Sequence, residues 1–275
     1  MITLTSHRWP PGWVEPSMGP GVRAVMTARS ALGVSPSSAP YDAFNLGQHV
    51  GDDPVVVDLH RQQLAQALGA LPVWLEQVHG PRVLRLTASD ALLSSPPAAD
   101  GALTTEPGVV CTVMVADCLP VLLAAPQGRG VAALHAGWRG LAGAGDMGGR
   151  GILETGVAAL CEVASCDPVE LRAWLGPCIG PTAFEVGTDV LVGFGLDPVQ
   201  SHPRFVPKTT LSAGDAPRWW AHLPGLAQDR LQALGVVQMD GGTWCTVSEP
   251  ARFFSFRRDG VTGRQAACIW LEGER

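Results

Sequence analysis

The sequence predicts an α+β fold in which one mixed sheet, or two packed sheets, carry helices on the outside. Runs of apolar and β-branched residues outnumber the amphipathic helical segments far more than a regular strand–helix alternation would give. A hydrophobic content of 46% and a mean hydropathy of +0.17 over 275 residues indicate a globular chain with a sizeable core. No internal repeat or shift in composition divides the chain into separate domains.

Ten runs have the composition of strands and are bounded by glycine, proline or polar residues. In chain order these are AVMTA (24–28), PVWLEQV (72–78), RVLRL (82–86), VVCTVMV (109–115), PVLLAA (120–125), GVAALHA (130–136), LRAWLG (171–176), VVQM (236–239), RFFSF (252–256) and QAACIWL (265–271). The stretches SPPAAD (95–100) and KTTLSAGDAP (208–217) are typical of loops.

Three stretches have helical periodicity. The first begins at Asp52-Asp53-Pro54, which offers an N-cap and a first-turn proline, and it ends at Gly69. The second begins near Ile152, and the third spans about 223–234 and ends before Gly235. The apolar faces are Val57, Leu64 and Leu68 in the first, Leu153, Val157 and Leu160 in the second, and Leu223, Ala227, Leu231 and Leu234 in the third.

Charge and cysteine content exclude several classes of function. A net charge of −6 and a pI near 5.6 leave no basic surface for a nucleic acid. The N-terminus has two adjacent prolines and no apolar core, so we do not expect it to be a signal peptide. The longest apolar run, 109–126, is short for a membrane span and contains Asp117 and Pro120. Seven cysteines without a CxxC pair favour reduced thiols over a disulfide framework, so we expect a cytoplasmic protein.

Three potential metal ligands each end or interrupt an apolar run. His79 ends WLEQVHG, Cys118 interrupts VMVADCLPVLL, and His135 ends VAALHAG. Strand ends can converge on one face of a sheet protein, and two imidazoles with one thiolate suit zinc. Three protein ligands would leave the fourth tetrahedral position open for water, as in catalytic zinc sites. Taken singly, such a cysteine is usually a small core residue, and such a histidine is usually a polar group at a strand end.

Other polar residues near these runs are further candidates. Asp117 stands in an apolar run, where its carboxylate could orient a ligand, move a proton or bond to turn amides. Arg139 follows His135 by four residues and could hold phosphate, or be a solvated surface group. Cys178 lies between two Gly/Pro turns in LGPCIGP, where its thiol could face a pocket or be buried. The formal GxGxxG match GAGDMG (143–148) follows no strand directly, so we interpret it as a flexible loop.

Five motifs together resemble one protein family. They are QVHG, ADCLPVLL, HAGWRG, LGPCIGP with FEVG, and CT with RFFSFRRDGVTGR. The chain is similar over about Thr27 to Leu271 to the laccase-domain, or multicopper-polyphenol-oxidase-like, family. Members have been described as purine nucleoside phosphorylases with adenosine deaminase activity, and a bacterial branch is named peptidoglycan editing factor.

The resemblance implies a fold and a site. The fold is a single domain in which mixed sheets pack face to face as a four-layer α/β/β/α sandwich. In this chain the domain would span 23–275 and would follow an N-terminal extension, 1–22. His79, Cys118 and His135 fall on the zinc ligands. The positions that line the family's pocket are Arg29, Asn45, Asp117, Arg139 and Cys178. Asp117, Cys118 and Cys178 are then the catalytic candidates, and Arg29, Asn45 and Arg139 would bind substrate.

The chain departs from the family pattern in three places. The usual RxGGVS is RSALGVS (29–35), one residue longer and without the first glycine of the pair, which puts the position of Arg29 in doubt. The usual Asn-Arg of the first helix is His60-Arg61, and glycine-rich sequence is inserted around 143–150. The insertion leaves the three ligands intact but could change access to the pocket.

Three activities remain open at this point. The first is a zinc-dependent purine nucleoside phosphorylase acting on adenosine, inosine and methylthioadenosine, with adenosine deaminase activity. The second is a copper-dependent polyphenol oxidase, since two histidines and a cysteine also suit Cu²⁺, but seven histidines are too few for the additional trinuclear cluster. The third is a hydrolase that edits cell-wall muropeptides, which the family name alone suggests.

Overall fold

The computed structural model describes residues 9–33, 36–93, 95–209 and 215–273. Within them lie thirteen strands: β1 Val22–Met26, β2 Leu71–Val73, β3 Val83–Arg85, β4 Gly101–Thr104, β5 Val109–Val115, β6 Leu119–Ala124, β7 Val131–Ala136, β8 Arg172–Leu175, β9 Glu185–Val186, β10 Phe205–Pro207, β11 Trp219–Ala221, β12 Gln238–Gly241 and β13 Gln265–Leu271. The α-helices are α1 Pro54–Leu68, α2 Trp138–Ala142, α3 Ile152–Ala164, α4 Thr188–Gly193, α5 Leu223–Ala233 and α6 Phe256–Asp259. None of the described helices combines the length and the apolarity that a membrane crossing requires.

Two mixed sheets form the centre of the molecule. One has the strand order β1-β13-β5-β2 and the other β12-β8-β6-β7-β4-β3, while β10-β11-β9 make a small third sheet. Alternate residues of the central strands point into the space between the two large sheets, as the period of two requires. In β5 these are Val109, Cys111, Val113 and Val115, and in β7 they are Val131 and Ala133.

Helices cover the outer faces of both large sheets. Leu64 and Leu68 of α1 pack on the outer face of the four-stranded sheet, where they form one cluster with Val110 and Met114 of β5. Helices α3 and α5 cover the six-stranded sheet through Leu153, Leu160, Leu226 and Leu231, among others. The order of layers is therefore α/β/β/α, which confirms the predicted α+β sandwich.

The three predicted helices are present, and the ends that the sequence predicted lie within about one residue of the observed ones. Asp53 caps α1 by accepting a hydrogen bond from the backbone N–H of Val55, and Gly69 ends it with a φ of +65°. Helix α3 begins at Ile152, and α5 ends at Ala233. In the glycine-rich 143–148 stretch, one 3-10 turn, Gly145–Met147, lies between α2 and α3, and no strand enters it.

The predicted strand RFFSF (252–256) is wrong. Phe253 and Phe254 are fully buried, but no strand within the described residues pairs with them. Instead the side-chain amide of Gln265 accepts from the N–H of Phe254 at 2.7 Å and donates to its carbonyl at 3.1 Å. Ser255 then caps α6, so the chain turns into a helix where the apolar pattern predicts a strand.

The run 72–78 is a strand only as far as Val73, because Glu76 and Gln77 bond to other segments. Four short strands, β4 and β9 to β11, have no counterpart in the sequence prediction. Residues 34 and 35 of RSALGVS, residue 94 and residues 210–214 of the second predicted loop lie outside the described residues, as do residues 1–8, 274 and 275.

The predicted N-terminal extension pairs with the domain where it is described. Val14 and Met26 exchange backbone hydrogen bonds of 3.0 and 2.8 Å, and the Trp13 ring lies 5.5 Å from that of Phe44. The division of the chain into 1–22 and 23–275 stays a prediction.

Candidate metal centre

The fold brings His79, Cys118 and His135 together. One ligand atom from each lies within 4.8 Å of the other two, and the Cys118 Sγ is 3.8 Å from the His79 Nε2. Zinc bound tetrahedrally by a thiolate and an imidazole places those atoms about 3.6 Å apart. Across the described residues no second group of three such ligands occurs, and no fourth carboxylate, thiol or imidazole joins this one. The trio could therefore hold a metal ion with one position free for water or substrate.

One ligand, Cys118, lies where the chain crosses between the large sheets, and a second, His135, lies on the strand that pairs with the start of β6. Strand β5 belongs to the four-stranded sheet and β6 to the six-stranded sheet, and residues 116–118 connect them. Asp117 adopts a φ of +102° in this connection, and Cys118 precedes β6 directly. On β7, His135 follows the alternation of Val131 and Ala133 and therefore points between the sheets. The thiol and the imidazole meet at the edge of the sandwich.

The third ligand is presented by a turn that a glutamine side chain holds in place. The Gln77 amide donates to the Met114 carbonyl and accepts from its N–H, both at 2.8 Å, so the side chain acts as a strand partner of β5. The chain then turns through His79 with a φ of +62°. Because the turn leaves the sheet, the His79 ring is exposed and reaches across to Cys118.

Asp100 joins two of the ligands and was missed in the sequence, where it falls in a predicted loop. It is fully buried, and its Oδ1 lies 2.8 Å from the His135 Nδ1. Its carboxylate also accepts from the backbone N–H groups of Val78, His79 and Gly80 at 2.7–3.0 Å. A carboxylate directly before the apolar run of β4 was the available signal, since such a charge is not buried without partners.

Two glycines of HAGWRG allow the close packing around these ligands. A Cβ on Gly137 would lie 2.7 Å from the His79 Cδ2 and 3.1 Å from the Cys118 Sγ. A Cβ on Gly140 would lie 3.2 Å from the Gly80 carbonyl oxygen. Both positions are restricted by space, because α2 packs directly against the turn that carries His79.

The thiol and the buried imidazole change each other's acidity. Burial acts to raise the pKa of Cys118, but the adjacent imidazoles of His135 and His79 outweigh it and lower the pKa to about 6. Burial acts to lower the pKa of His135, but the Cys118 thiolate and the Asp100 carboxylate outweigh it and raise the pKa to about 9. Without metal the pair is therefore a thiolate and an imidazolium near neutral pH.

Metal binding is expected to release one proton from this pair between pH 6 and 9, because an ion needs the neutral imidazole and the thiolate is already present. The apparent affinity for Zn²⁺ should rise about tenfold per pH unit from 6.5 to 8.5. Below pH 6 the dependence should steepen as Cys118 also takes up a proton. Competition with a chelator at several pH values measures this slope. An affinity that does not change with pH would contradict the thiolate–imidazolium pair.

The ligands lie in a cleft of about 670 Å³. Leu75, Met114 and Val115 form an apolar part of its wall, and Phe256 adds an aromatic ring that is 58% exposed. The charged and polar lining includes Gln48, His49, Arg61, Glu76, Gln77 and Arg264. The cleft is within the size range of small-molecule sites and combines apolar walls with a few polar groups.

A family model described as multi-copper polyphenol oxidoreductase laccase matches residues 23–272. The chain belongs to this family. This match to the laccase-like family confirms the resemblance seen in the motifs.

Relatives of the chain cover nearly its whole length. A purine nucleoside phosphorylase of Pseudomonas aeruginosa is 43% identical over 262 residues, which span 95% of this chain and 97% of the relative. The purine nucleoside phosphorylase YfiH of Escherichia coli is 43% identical over 263 residues, with the same two shares. That such relatives are named as enzymes supports an enzymatic function for this member of the laccase-like family.

Two solved structures share the fold of this chain. A Neisseria meningitidis protein gives a TM-score of 0.81 with 39% identity, covering 95% of this chain and 100% of that chain. YlmD from Geobacillus stearothermophilus gives a TM-score of 0.79 with 31% identity, covering 92% and 93%.

Asp117 and Cys178, two residues predicted to be catalytic, lie beside the ligands with their side chains engaged elsewhere. The Asp117 carboxylate accepts from the Thr246 hydroxyl and from the Arg257 N–H, both at 2.6 Å. These two bonds hold the connection between β5 and β6 against the C-terminal segment that contains Thr246 and Arg257. Cys178 is fully buried, and burial raises its pKa well above the ordinary value, so this thiol stays protonated. A catalytic role for either residue stays a prediction.

Arg29 and Asn45 hold segments around the cleft. The Arg29 guanidinium donates to the Asp42 carbonyl and carboxylate and to the Pro250 carbonyl, and it lies over the Phe254 ring. Buried Asn45 accepts from the backbone N–H of Gly47 and of Arg264, both at 2.9 Å. Since Arg264 lines the cleft, Asn45 fixes the backbone of a cleft residue. That either side chain binds substrate stays a prediction.

Arg139 lies in a different depression from the metal ligands. Its exposed guanidinium stacks on the Trp138 ring at 4.4 Å, beside Phe194 and the glycine-rich 143–149 segment. The arginines that line the metal cleft are Arg61 and Arg264, which sequence reasoning did not select. In the sequence, Arg61 was noted only because His60-Arg61 replaces the usual Asn-Arg of the first helix. Which way its side chain points depends on how α1 packs.

Proposed function

We propose that this chain is a zinc-dependent purine nucleoside phosphorylase that acts on adenosine, inosine and methylthioadenosine and also deaminates adenosine. The observation that carries the proposal is the open ligand trio in a cleft with an aromatic and apolar wall. Two relatives at 43% identity over 95% of the chain bear the name purine nucleoside phosphorylase, which supports the same reaction class.

The donor set supports zinc as the resident ion. His79, Cys118 and His135 provide two nitrogens and one sulfur, and the Asp100 carboxylate directs the His135 Nε2 toward the site by binding Nδ1. When bound, zinc supplies a Lewis acid that brings the pKa of water at its free position toward neutrality.

The residues of the cleft support binding of a purine nucleoside. The exposed Phe256 ring offers a face on which a purine can stack, and Leu75, Met114 and Val115 exclude water from one side. In phosphorolysis a phosphate oxygen bonds to C1′ of the ribose while the C1′–N9 bond breaks. The electron pair passes to the base, which takes up a proton, and the phosphate group gives up one proton as it becomes an ester, so the protons balance. In deamination water adds at C6 of adenine and ammonia leaves.

Copper oxidase chemistry is less well supported. A multicopper oxidase needs a trinuclear cluster besides its first copper, and the described residues contain one ligand trio. We further propose a cytoplasmic location, because all seven cysteines are free and five have a raised pKa that suits inert, reduced thiols.

The proposal is tested by incubating the zinc-loaded protein with adenosine, with and without inorganic phosphate, and identifying the products. We expect adenine and ribose 1-phosphate with phosphate, and inosine and ammonia without it. Oxygen uptake on a phenol by copper-loaded protein, or cleavage of a muropeptide, with no nucleoside turnover would overturn the proposal. Metal content measured on the same sample shows whether zinc or copper accompanies the activity.

A further inference from the structure

Two arginines from distant parts of the chain line the metal cleft without an ion-pair partner. Arg61 comes from α1, and Arg264 precedes β13. Neither guanidinium lies within 4.0 Å of a carboxylate in the part of the chain that the structure describes. Both side chains are half-buried, so each positive charge is partly removed from water without a carboxylate to compensate it.

Neutral groups hold both guanidinium groups in place. Arg61 Nε donates to the Leu46 carbonyl at 2.9 Å, Nη1 to the Gln48 side-chain oxygen at 3.0 Å and Nη2 to the Met114 sulfur at 3.7 Å. Its guanidinium carbon lies 4.0 Å from the centre of the Trp74 ring. Arg264 Nη1 donates to the carbonyls of Thr262 and Gly263, both at 3.0 Å. The Nε and Nη2 atoms of Arg264 donate to no acceptor in the described residues, which leaves one edge of its guanidinium for a ligand.

The surroundings disfavour these charges until an anion arrives. Burial lowers the pKa of Arg61 to about 10, against a smaller opposing effect of Asp58. Burial likewise lowers the pKa of Arg264, against Cys118 and Asp117. His49 lines the same cleft, and its pKa is lowered by burial and then by these two arginines. Glu76 is the one carboxylate residue in the described lining, so the cleft has an excess of positive charge.

We propose that Arg61 and Arg264 bind inorganic phosphate, the second substrate, beside the metal ligands. This inference rests on the proposed phosphorylase function. The planar guanidinium group matches a phosphate oxyanion through two parallel N–H donors, and Arg264 has such an edge free. The phosphate then shares the cleft with the nucleoside, as attack on C1′ requires. Arg29 is occupied by Asp42 and Pro250, and Arg139 lies in another depression.

The test compares Arg61→Gln and Arg264→Gln with Arg129→Gln, a surface arginine paired with Glu170. We expect the KM for phosphate to rise about 10- to 100-fold in the first two variants, with a smaller change in the KM for adenosine. Arg61→Lys and Arg264→Lys keep the charge but lose the two-pronged donor, so they should recover part of the loss. Metal content and melting temperature confirm that each variant is folded and loaded. Arg129→Gln should resemble the wild type.

Binding of inorganic phosphate to zinc-loaded protein without nucleoside, measured by calorimetry, separates this inference from the proposed function. Weaker binding in the two glutamine variants supports the site even if phosphorolysis is not found, in which case the proposed function fails alone. Phosphorolysis with an unchanged phosphate KM in both variants overturns the site and leaves the function standing. A rise in phosphate KM confined to Arg139→Gln would also overturn it.

Discussion

Replacing Cys118 with alanine is expected to abolish stoichiometric metal binding and all nucleoside turnover. The thiolate is one of three donors, and the two remaining imidazoles cannot hold zinc tightly at neutral pH. The change also removes the negative charge of the Cys118 thiolate, which raises the pKa of His135. The protonated His135 imidazole is therefore less stable in the variant. The fold should remain, because Cys118 is half-buried in a connection and lies outside the strands.

Metal content by mass spectrometry and product formation from adenosine measure both effects. Cys161→Ala is the matched control, since this half-buried thiol lies on α3 and is not one of the three ligands. Its metal content and activity should equal those of the wild type. The melting temperature of metal-free Cys118→Ala should stay close to that of the metal-free wild type, with a loss of about 1 kcal/mol at most. A variant that keeps one metal ion and full turnover would refute the ligand assignment.

The parts of the fold that the sequence predicted depend on local signals. Helix α1 has its cap, its first-turn proline, its apolar face and its terminal glycine within seventeen consecutive residues, Asp53 to Gly69. Strands β5 to β7 are long apolar runs that could hardly be anything else. By contrast β9 has two residues and β11 three, and such short strands exist only because a neighbour lies beside them.

Side chains that replace backbone partners account for the wrong strand. Phe253 and Phe254 have the burial of a strand, but Gln265 satisfies the backbone of Phe254. Gln77 does the same for Met114 beside the metal ligands. An apolar run in the sequence indicates that the segment is buried. It does not indicate whether the backbone of that segment bonds to a neighbouring strand or to a single side-chain amide.

The candidate site was predicted as far as single motifs extend. His79, Cys118 and His135 each stand at a visible change in apolar pattern, and the motif resemblance joins them. Asp100, Arg61, Arg264 and Phe256 reach the site only because the fold brings segments that are distant in sequence together, and neither their spacing nor the quoted motifs assign them a place beside the ligands. Arg139 shows the converse, because it lies four residues from His135 on the chain and yet faces another depression.

Asp100 is the position where the largest effect outside the ligands is expected. Its buried carboxylate receives hydrogen bonds from three successive backbone N–H groups in the His79 turn and contacts the His135 Nδ1. Burial acts to raise the pKa of Asp100, but the bonds from His135 and from the Gly80 and His79 amides outweigh it and keep the pKa below its ordinary value. The charged form thus fixes both imidazoles relative to Cys118.

Asp100→Asn is expected to weaken zinc binding about 10- to 100-fold. The amide keeps the volume and one acceptor oxygen, but its NH₂ group must face either a backbone N–H or the His135 Nδ1. If the NH₂ group donates to Nδ1, the histidine proton is favoured on Nε2. A protonated Nε2 cannot bind the metal ion. Asp100→Ala should lose more, and it should also destabilise the metal-free protein by about 2–5 kcal/mol because the turn amides and the imidazole lose their acceptor.

Chelator competition measures the zinc affinity of these variants, and thermal unfolding of the metal-free forms measures their stability. Asp90→Asn is the control, because Asp90 accepts from the Thr87 N–H in a separate 3-10 turn and should leave zinc affinity unchanged. The two readouts distinguish positioning from support of the fold. If Asp100→Asn lowers the melting temperature but binds zinc like the wild type, then Asp100 stabilises the turn without setting the geometry of the ligands. If it loses zinc affinity at a nearly unchanged melting temperature, the carboxylate orients His135, since the same fold then presents the wrong nitrogen.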